Sequence, residues 1–522
     1  MASATTGTQA VRDTVSLLSG IWCDILGRGA LNPTDSLLDQ GADSLAVARA
    51  VARVKAEMKV AITARAMFET PTLDALARRI VEGEFHAVPA GDSAVLPAHS
   101  TRPTSPQDWM LRFIKRAETN PPYGWVQICL EVPAHFSRAT ILDAVEALAD
   151  LHDAFTFGYA ETSDGWVATR GRPSVELTDL DIRTASVAGM RAALAEAVRA
   201  DIDRTLPIAE PPPVVLRLAP ATGGVRLLAM TCHHLAVDAW SFKRMAGDLA
   251  GLLAGHEPLS SSYQEFMDWQ EFQRATGAHA EQLAWWASGL HDALPVVLDP
   301  ETRDRHVPDV HGPAAVLGTD LSAHAEAVLA LSNARRWTPF NTLLASFALA
   351  LGRHVGRDDV VISVPTAGRP EARFENVVGY FANSMLLRIH LDPRERFVDI
   401  ARAAQEVYLD GIEHPVPHWD EVSRESIGSE DLGLVKFEVD QVNDPSTVQH
   451  VPSRPLRLTS LAGPRPSRPD LAVTLSLRDG LHARVAHRPE TVRGAIAQAL
   501  TGRLGEVLER ASREPTIRVG EL

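Results

Sequence analysis

Cysteine is scarce in this chain. Its 522 residues include Cys23, Cys129 and Cys232 and no others. The three are far apart and odd in number and form no CxxC pair, which argues against a disulfide framework and a zinc site and points to the reducing cytoplasm. Positive charge is also short. Lys and Arg total 51 against 66 Asp and Glu, a formal net charge of −15. No dense basic run marks a nucleic-acid interface, so no nucleic-acid partner is expected. Long apolar runs are missing as well. Nothing approaches the roughly 18 residues that a bilayer span needs, so no membrane partner is expected. The most apolar segment, around 340–351, is interrupted by Asn341 and Thr342. The first ten residues, MASATTGTQA, place no charged region ahead of an apolar run and do not read as a secretory signal.

What is present is ordinary globular composition, 45% hydrophobic and 22% charged. At roughly 150 residues per domain the length predicts three or four folding units. Residues 1–10 are small and polar and are expected to be disordered. Over 11–83 the apolar positions fall at helical spacing in four segments: Val15, Leu18, Ile21 and Ile25; Leu45, Ala48, Val51 and Ala52; a short turn around 64–68; and Leu73, Leu76, Ala77 and Ile80. That pattern predicts a small all-α bundle. Residues 84–104 hold Pro, Gly, Ser, Thr and His without a period and read as a linker. Beyond it the pattern turns α/β. Strands are expected over 125–132, 225–232 and 360–365, and helices over 140–150, 242–253, 339–355 and 492–510.

Two clusters carry chemistry. The first is Leu37-Leu38-Asp39-Gln40-Gly41-Ala42-Asp43-Ser44-Leu45, a glycine-containing turn leading into a helix that starts at Ser44. Asp and Ser are preferred helix caps, and a cap alone accounts for the pentapeptide. The unpaired N–H groups and positive dipole end at a helix start also suit a phosphate. The second cluster is Met230-Thr231-Cys232-His233-His234-Leu235-Ala236-Val237-Asp238-Ala239-Trp240-Ser241. Neighbouring side chains at a strand end point opposite ways, so only one histidine can face a given cavity. The spacing does not fit HExxH and no third strong ligand is near, so no metal is expected. Structural histidines and catalytic histidines both remain open on these residues alone.

With Met67-Phe68-Glu69-Thr70-Pro71-Thr72-Leu73 following at the appropriate distance, residues 11–83 resemble the peptidyl and acyl carrier proteins. The resemblance implies 4′-phosphopantetheine attached at Ser44 by a phosphopantetheinyl transferase, with an acyl or aminoacyl thioester on its thiol. Asp43 before the serine leaves the cargo class open. The His233-His234…Asp238 segment with Trp240-Ser241 resembles the HHxxxDG signature of nonribosomal peptide synthetase condensation domains. The ordered segments 263–286, 339–344, 364–369, 378–384 and 516–522 extend that resemblance over about 96–522. It implies two chloramphenicol-acetyltransferase-like lobes in a V, at 105–275 and 276–522, with a tunnel between them. The catalytic motif is then His233, His234 and Asp238. His234 would take a proton from the attacking ammonium or hydrogen-bond the intermediate, while His233 holds the loop. Asp238 is structural, paired in the family with the arginine that is Arg369 here. Ala239, Trp240, Ser241 and Asn383 support the site.

The expected function is a nonribosomal peptide synthetase component. A donor on Ser44 passes to an amine to form an amide, much of the rate coming from positioning. A separate adenylation domain or other loading enzyme would charge the arm. The acceptor would be a downstream carrier protein or a soluble amine. Several positions depart from the pattern. Ala239 replaces a glycine that φ > 0 or close approach of the arm would need. The segment 151–159 lacks both arginines of the RHExLRTxF pattern, and His414-Pro415-Val416-Pro417-His418 is a shortened HQDxPF segment. They keep open an ester-forming or epimerising variant, or an impaired platform that recruits partner enzymes. The other histidines, including His354, His414 and His418, read as packed or surface residues.

Overall fold

The computed structural model describes residues 2–86, 99–116, 124–182, 186–202, 204, 206–302, 314–440, 456–459 and 469–522. Four helices, Ala2–Leu26, Ser44–Met58, Ala64–Glu69 and Leu73–Val81, form the N-terminal bundle. Each of the last three starts on a side-chain cap: Asp43, Thr63 and Thr72 accept from the backbone N–H of Ala46, Ala66 and Ala75. Leu18, Trp22, Ala50, Val54, Leu73 and Leu76 close the bundle core. Residues 1–10 were expected to be disordered, but the first helix begins at Ala2. Once an amphipathic segment has nucleated a helix, each further residue adds one hydrogen bond.

Among the described residues beyond the bundle lie two large sheets and a two-stranded one, Phe157–Thr162 with Gly165–Arg170. The first has five strands in the order Arg457–Thr459, Trp125–Pro133, Val225–His233, Val214–Leu218, Val175–Asp179. The second has six, in the order Ala315–Asp320, His482–His487, Leu471–Ser476, Val435–Asp440, Asp359–Thr366, Asn383–His390. Antiparallel partners dominate, with parallel pairing between Val175–Asp179 and Val214–Leu218 in the first sheet and between Val435–Asp440 and both Leu471–Ser476 and Asp359–Thr366 in the second. Val360, Val361 and Ile362 are all buried, as a strand covered on both faces requires. His482–His487 instead alternates buried and half-buried or exposed positions.

The expected split into contiguous lobes at 275/276 needs correction. Arg457–Thr459, from the second half, pairs antiparallel with Cys129–Glu131 at the edge of the first sheet. An edge strand leaves a row of backbone groups unpaired, and whichever segment the chain brings there covers it. The linker also ends earlier than expected. Residues 87–98 lie outside the described residues, but 99–104 are pinned: the Ala168 N–H donates to the Thr101 carbonyl at 2.6 Å, and the hydroxyls of Thr104 and Tyr263 meet at 2.8 Å.

The helix Pro339–Val355 is buried almost all round from Phe340 to Gly352 and lies at the centre of the second lobe's core. Thr338 caps its start, proline occupies its first turn, and Gly356 ends it with φ 67°. Among the described residues no helix is long and apolar enough to cross a membrane. Leu344, fully buried here, tests the core: Leu344→Ala should lose about 2–5 kcal/mol, read as a lower urea midpoint for the α/β region with the bundle's signal unchanged.

Candidate active site

The strand Val225–His233 delivers the histidine pair, and its register against Trp125–Pro133 sets Trp125 opposite His233. His233 is fully buried, edge-on to the Trp125 ring at 5.2 Å. Its Nδ1 accepts from the Leu235 N–H at 3.1 Å, so the ring proton sits on Nε2, which is buried without a hydrogen-bond partner. Burial, and then the neighbouring His234, push its pKa well below the ordinary histidine value. A Cβ at Gly124 would lie 2.2 Å from that Nε2, so Gly124 is a close-approach glycine.

His234 turns the other way and is half-buried. Its N–H donates to the Gly124 carbonyl at 2.6 Å. Its Nδ1 lies 3.0 Å from the Val237 carbonyl, which can only accept, so Nδ1 carries the proton and Nε2 is the basic nitrogen of the neutral ring. The ring tilts over Tyr380 at 5.0 Å.

Asp238 caps the helix Ala239–Leu253 and is 1% exposed. Its Oδ1 accepts from Ser241 N at 2.8 Å, Ser241 Oγ at 2.7 Å and Arg369 Nη2 at 3.2 Å. Its Oδ2 accepts from Arg369 Nη1 and the Phe381 N–H at 3.0 and 3.1 Å. Burial raises the carboxyl's pKa, but Arg369 and the Ser241 hydrogen bonds outweigh it and hold it below the usual aspartate range. Arg369 is equally dry, its side chain 3% exposed, and also donates to the carbonyls of Ala367 and Val377 at 2.9 and 3.0 Å. Gly368 makes room for it: φ is +64°, and a Cβ there would fall 1.7 Å from the Phe381 carbonyl oxygen. Ser241 Oγ meets both the carbonyl and the N–H of Gly379, so one hydroxyl joins the histidine loop to the Val378–Phe381 segment.

The supporting positions separate in role. Trp240 Nε1 donates to the Glu375 carbonyl at 3.1 Å. Asn383 Nδ2 donates to the carbonyls of Val416 and Pro417 while its Oδ1 accepts from Trp419 N, which ties down the shortened 414–418 segment. His418 is buried against Asp420, His414 stacks on Trp285 at 3.7 Å, and His354 reaches the Leu298 carbonyl at 3.2 Å. Ala239 is exposed, is the first residue of its helix, and is absent from the residues of positive φ. The backbone strain considered for the missing glycine does not arise, because the helical conformation at this point is open to any L-residue.

Where the arginine pattern is missing, Asp153 accepts from Ser262 Oγ, Tyr263 N and Gln264 N at 2.7, 2.6 and 3.2 Å. Tyr263 in turn donates from its hydroxyl to the Tyr380 carbonyl at 2.7 Å, beneath the ring that meets His234.

Ser44 is the first residue of its helix and is 1% exposed, because the bundle sits against the second lobe. Its Oγ lies 3.0 Å from Thr338 Oγ1, the cap of the central helix. Near this contact lies a cavity of about 460 Å³, whose lining includes Ala48 and Tyr408 but neither Ser44 nor Thr338. Ala48, Arg49 and Ala52 line one wall, and Trp240, Arg369, Asn383 and Tyr408 line the other. The two histidines are not in that lining. Thr338, Tyr408, Glu375, Tyr380 and Gly124 are site residues that sequence reasoning missed. Thr338 adjoins a quoted segment and Tyr380 lies within one; nothing local marks Gly124, Glu375 or Tyr408.

A family model described as condensation domain matches residues 103–429, and one described as phosphopantetheine attachment site matches residues 16–80. The chain therefore belongs to the condensation-domain family, with a carrier domain ahead of it that takes covalent 4′-phosphopantetheine. It is 26% identical over 409 residues to phosphinothricin tripeptide synthetase PhsB of Streptomyces viridochromogenes, covering 75% of this chain and 34% of that one. It is 25% identical over 528 residues to CymA of Salinispora arenicola, a probable non-canonical nonribosomal peptide synthetase, covering 97% and 7%. The chain thus spans about a third or less of these curated relatives. The X-domain from teicoplanin biosynthesis shares the fold, with a TM-score of 0.68 at 18% identity, over 82% of this chain and 98% of that one. Ser44 suits the cofactor: it is a hydroxyl at a capped helix start.

Two tests follow from this geometry. Asp238→Ala and Arg369→Ala should each lose about 3–5 kcal/mol by stranding a buried charge, and the double variant should lose less than the sum; thermal denaturation of the set checks it. Acid provides the second. His233 stays neutral in the fold, so below the unfolded histidine pKa of about 6.5 the unfolded state binds the extra proton. Stability should therefore fall from about pH 6.5 downward, toward the depressed folded pKa. His233→Asn, which keeps an acceptor for Leu235 N–H, should flatten that slope in urea titrations across this range.

Proposed function

We propose that the chain is an amide-forming unit of a nonribosomal peptide synthetase in which the carrier serves its own condensation domain as donor. The observation that carries this reading is the docked carrier: Ser44 Oγ meets Thr338, and Ala48, Arg49 and Ala52 of the same helix line one cavity with Trp240, Arg369 and Asn383. The attached cofactor supplies a thiol that bears the acyl group as a thioester. Ser44 is its attachment residue, and Thr338 and Tyr408 stand at the entry.

The reaction joins an amine nitrogen to a thioester carbonyl carbon: the C–N bond forms, the C–S bond breaks, and the proton lost from nitrogen leaves with the thiol. His234 Nε2 receives that proton and passes it on, with Nδ1–H locked on Val237 so that the basic nitrogen is defined. His233 is the wall behind it. Asp238 and Arg369 act by position, holding the loop that presents His234. Asp153 and Tyr263 support Tyr380 from below. A phosphopantetheinyl transferase, a loading enzyme and an amine acceptor complete the reaction, in the cytoplasm.

Intact mass after incubation with coenzyme A and a broad-specificity transferase tests the first half. A phosphopantetheine gain in the wild type and none in Ser44→Ala is expected; equal gain in both would remove Ser44 from the scheme. With a loaded donor and a soluble amine, His234→Ala should slow product formation about 10²-fold or more while leaving Ser44 modification unchanged. Undiminished turnover in that variant would leave positioning alone as the source of rate.

A further inference from the structure

Besides the Ser44–Thr338 hydroxyl pair, the carrier touches the condensation domain through three kinds of contact. Leu409 of the helix Phe397–Glu413, 3% exposed, joins the carrier's own core cluster. Arg65 reaches Asp410 at 3.2 Å and Glu406 at 3.9 Å, but all three side chains are close to half exposed, where ion pairs add little. Arg49 is different. Its Nε lies 2.6 Å from Glu375 Oε1, with the two side chains only 25% and 18% exposed. The same guanidinium lies 5.5 Å over the ring of Trp240, whose indole N–H holds the Glu375 carbonyl. A planar fork can bind a carboxylate and cover an aromatic face at once; an ammonium cannot do both equally well.

Arg49 follows Ser44 by five residues, about 7.5 Å along the helix axis. One contact at Ser44 would leave the carrier free to rotate about it. A second contact at that spacing sets the direction of the whole helix over the cavity. The rim it reads is built from the catalytic loop, since Trp240 lies two residues past Asp238 and 5.8 Å from the Arg369 guanidinium. We propose that Arg49 is a specificity-determining residue: Glu375 and Trp240 together admit carriers that present a guanidinium five residues after the modified serine, and disfavour those with a neutral or acidic side chain there. The inference rests on the donor reading above.

Docking buries Ser44, so the rate of its modification reports undocking without any condensation chemistry. The full apo chain, limiting transferase and coenzyme A, and an intact-mass time course provide the readout. Glu375→Arg leaves the carrier surface untouched and sets Arg49 and the neighbouring Lys243 against a third cation. It should speed Ser44 modification about threefold or more. Made on an Arg49→Glu background, the same substitution should slow modification by a similar factor, because the pair is restored with its signs exchanged. This reversal cancels any direct effect of Arg49→Glu on the transferase. Glu375→Gln, a milder change, should fall between wild type and Glu375→Arg. If Glu375→Arg acts alike on both backgrounds, or not at all, the proposal is overturned. Amide formation from the loaded wild type is scored separately. Its absence alongside an intact reversal would end the donor reading while leaving Arg49 as the carrier-docking residue.

Discussion

The site depends on one carboxylate that has no access to water. Buried and charged, Asp238 is stable only if every oxygen lone pair finds a donor. Its donors come from three places in the chain: Ser241 on the following helix, Arg369 after the strand Asp359–Thr366, and the Phe381 N–H before Asn383–His390. The first half supplies the carboxylate and the second supplies most of what satisfies it. Closing the two halves on each other is therefore a condition of burying the charge. Gly368 and Gly379 follow from the same constraint. A side chain at either would strike the Phe381 carbonyl or the Tyr263 ring.

From that joint the histidine pair takes its division of labour. Alternation at a strand end sends one ring into the core and the other toward Tyr380. Burial keeps the inner ring neutral, and a backbone carbonyl defines the proton position on the outer one. The departures from the family pattern sit around this arrangement without breaking it. Ala239 falls where any residue is tolerated. Asp153 provides an anchor for Tyr263 beneath Tyr380. The shortened 414–418 segment is held by both ends of the Asn383 amide.

The carrier meets this scaffold in a way that sets two requirements against each other. On the donor reading proposed above, Ser44 must be exposed to be modified and enclosed to deliver. In the docked arrangement it is enclosed, with Thr338 against its hydroxyl and the cavity nearby. Modification and delivery thus belong to different positions of the bundle, and the contacts that favour docking must be weak enough to release. Half-buried and exposed ion pairs around apolar contacts at Leu409 and Ile412 are of that strength.

Local pattern alone determined a good deal. The helix starts at Ser44 and Pro339, the strand running into the histidine pair, and the change from bundle to α/β fold all follow from capping residues and apolar periodicity, which act over one or two turns. The Asp238–Arg369 pairing was legible only through resemblance to a family, since 131 residues separate the partners. Other features were not legible at all. The helical start at Ala2, the return of Arg457–Thr459 to the first sheet, the contact of Gly124 with His233, and the meeting of Arg49 with Glu375 and Trp240 have no local signature. Each depends on which surfaces the folded chain brings together. Close approach, desolvation and docking are properties of the packed state, and only the tertiary structure decides them.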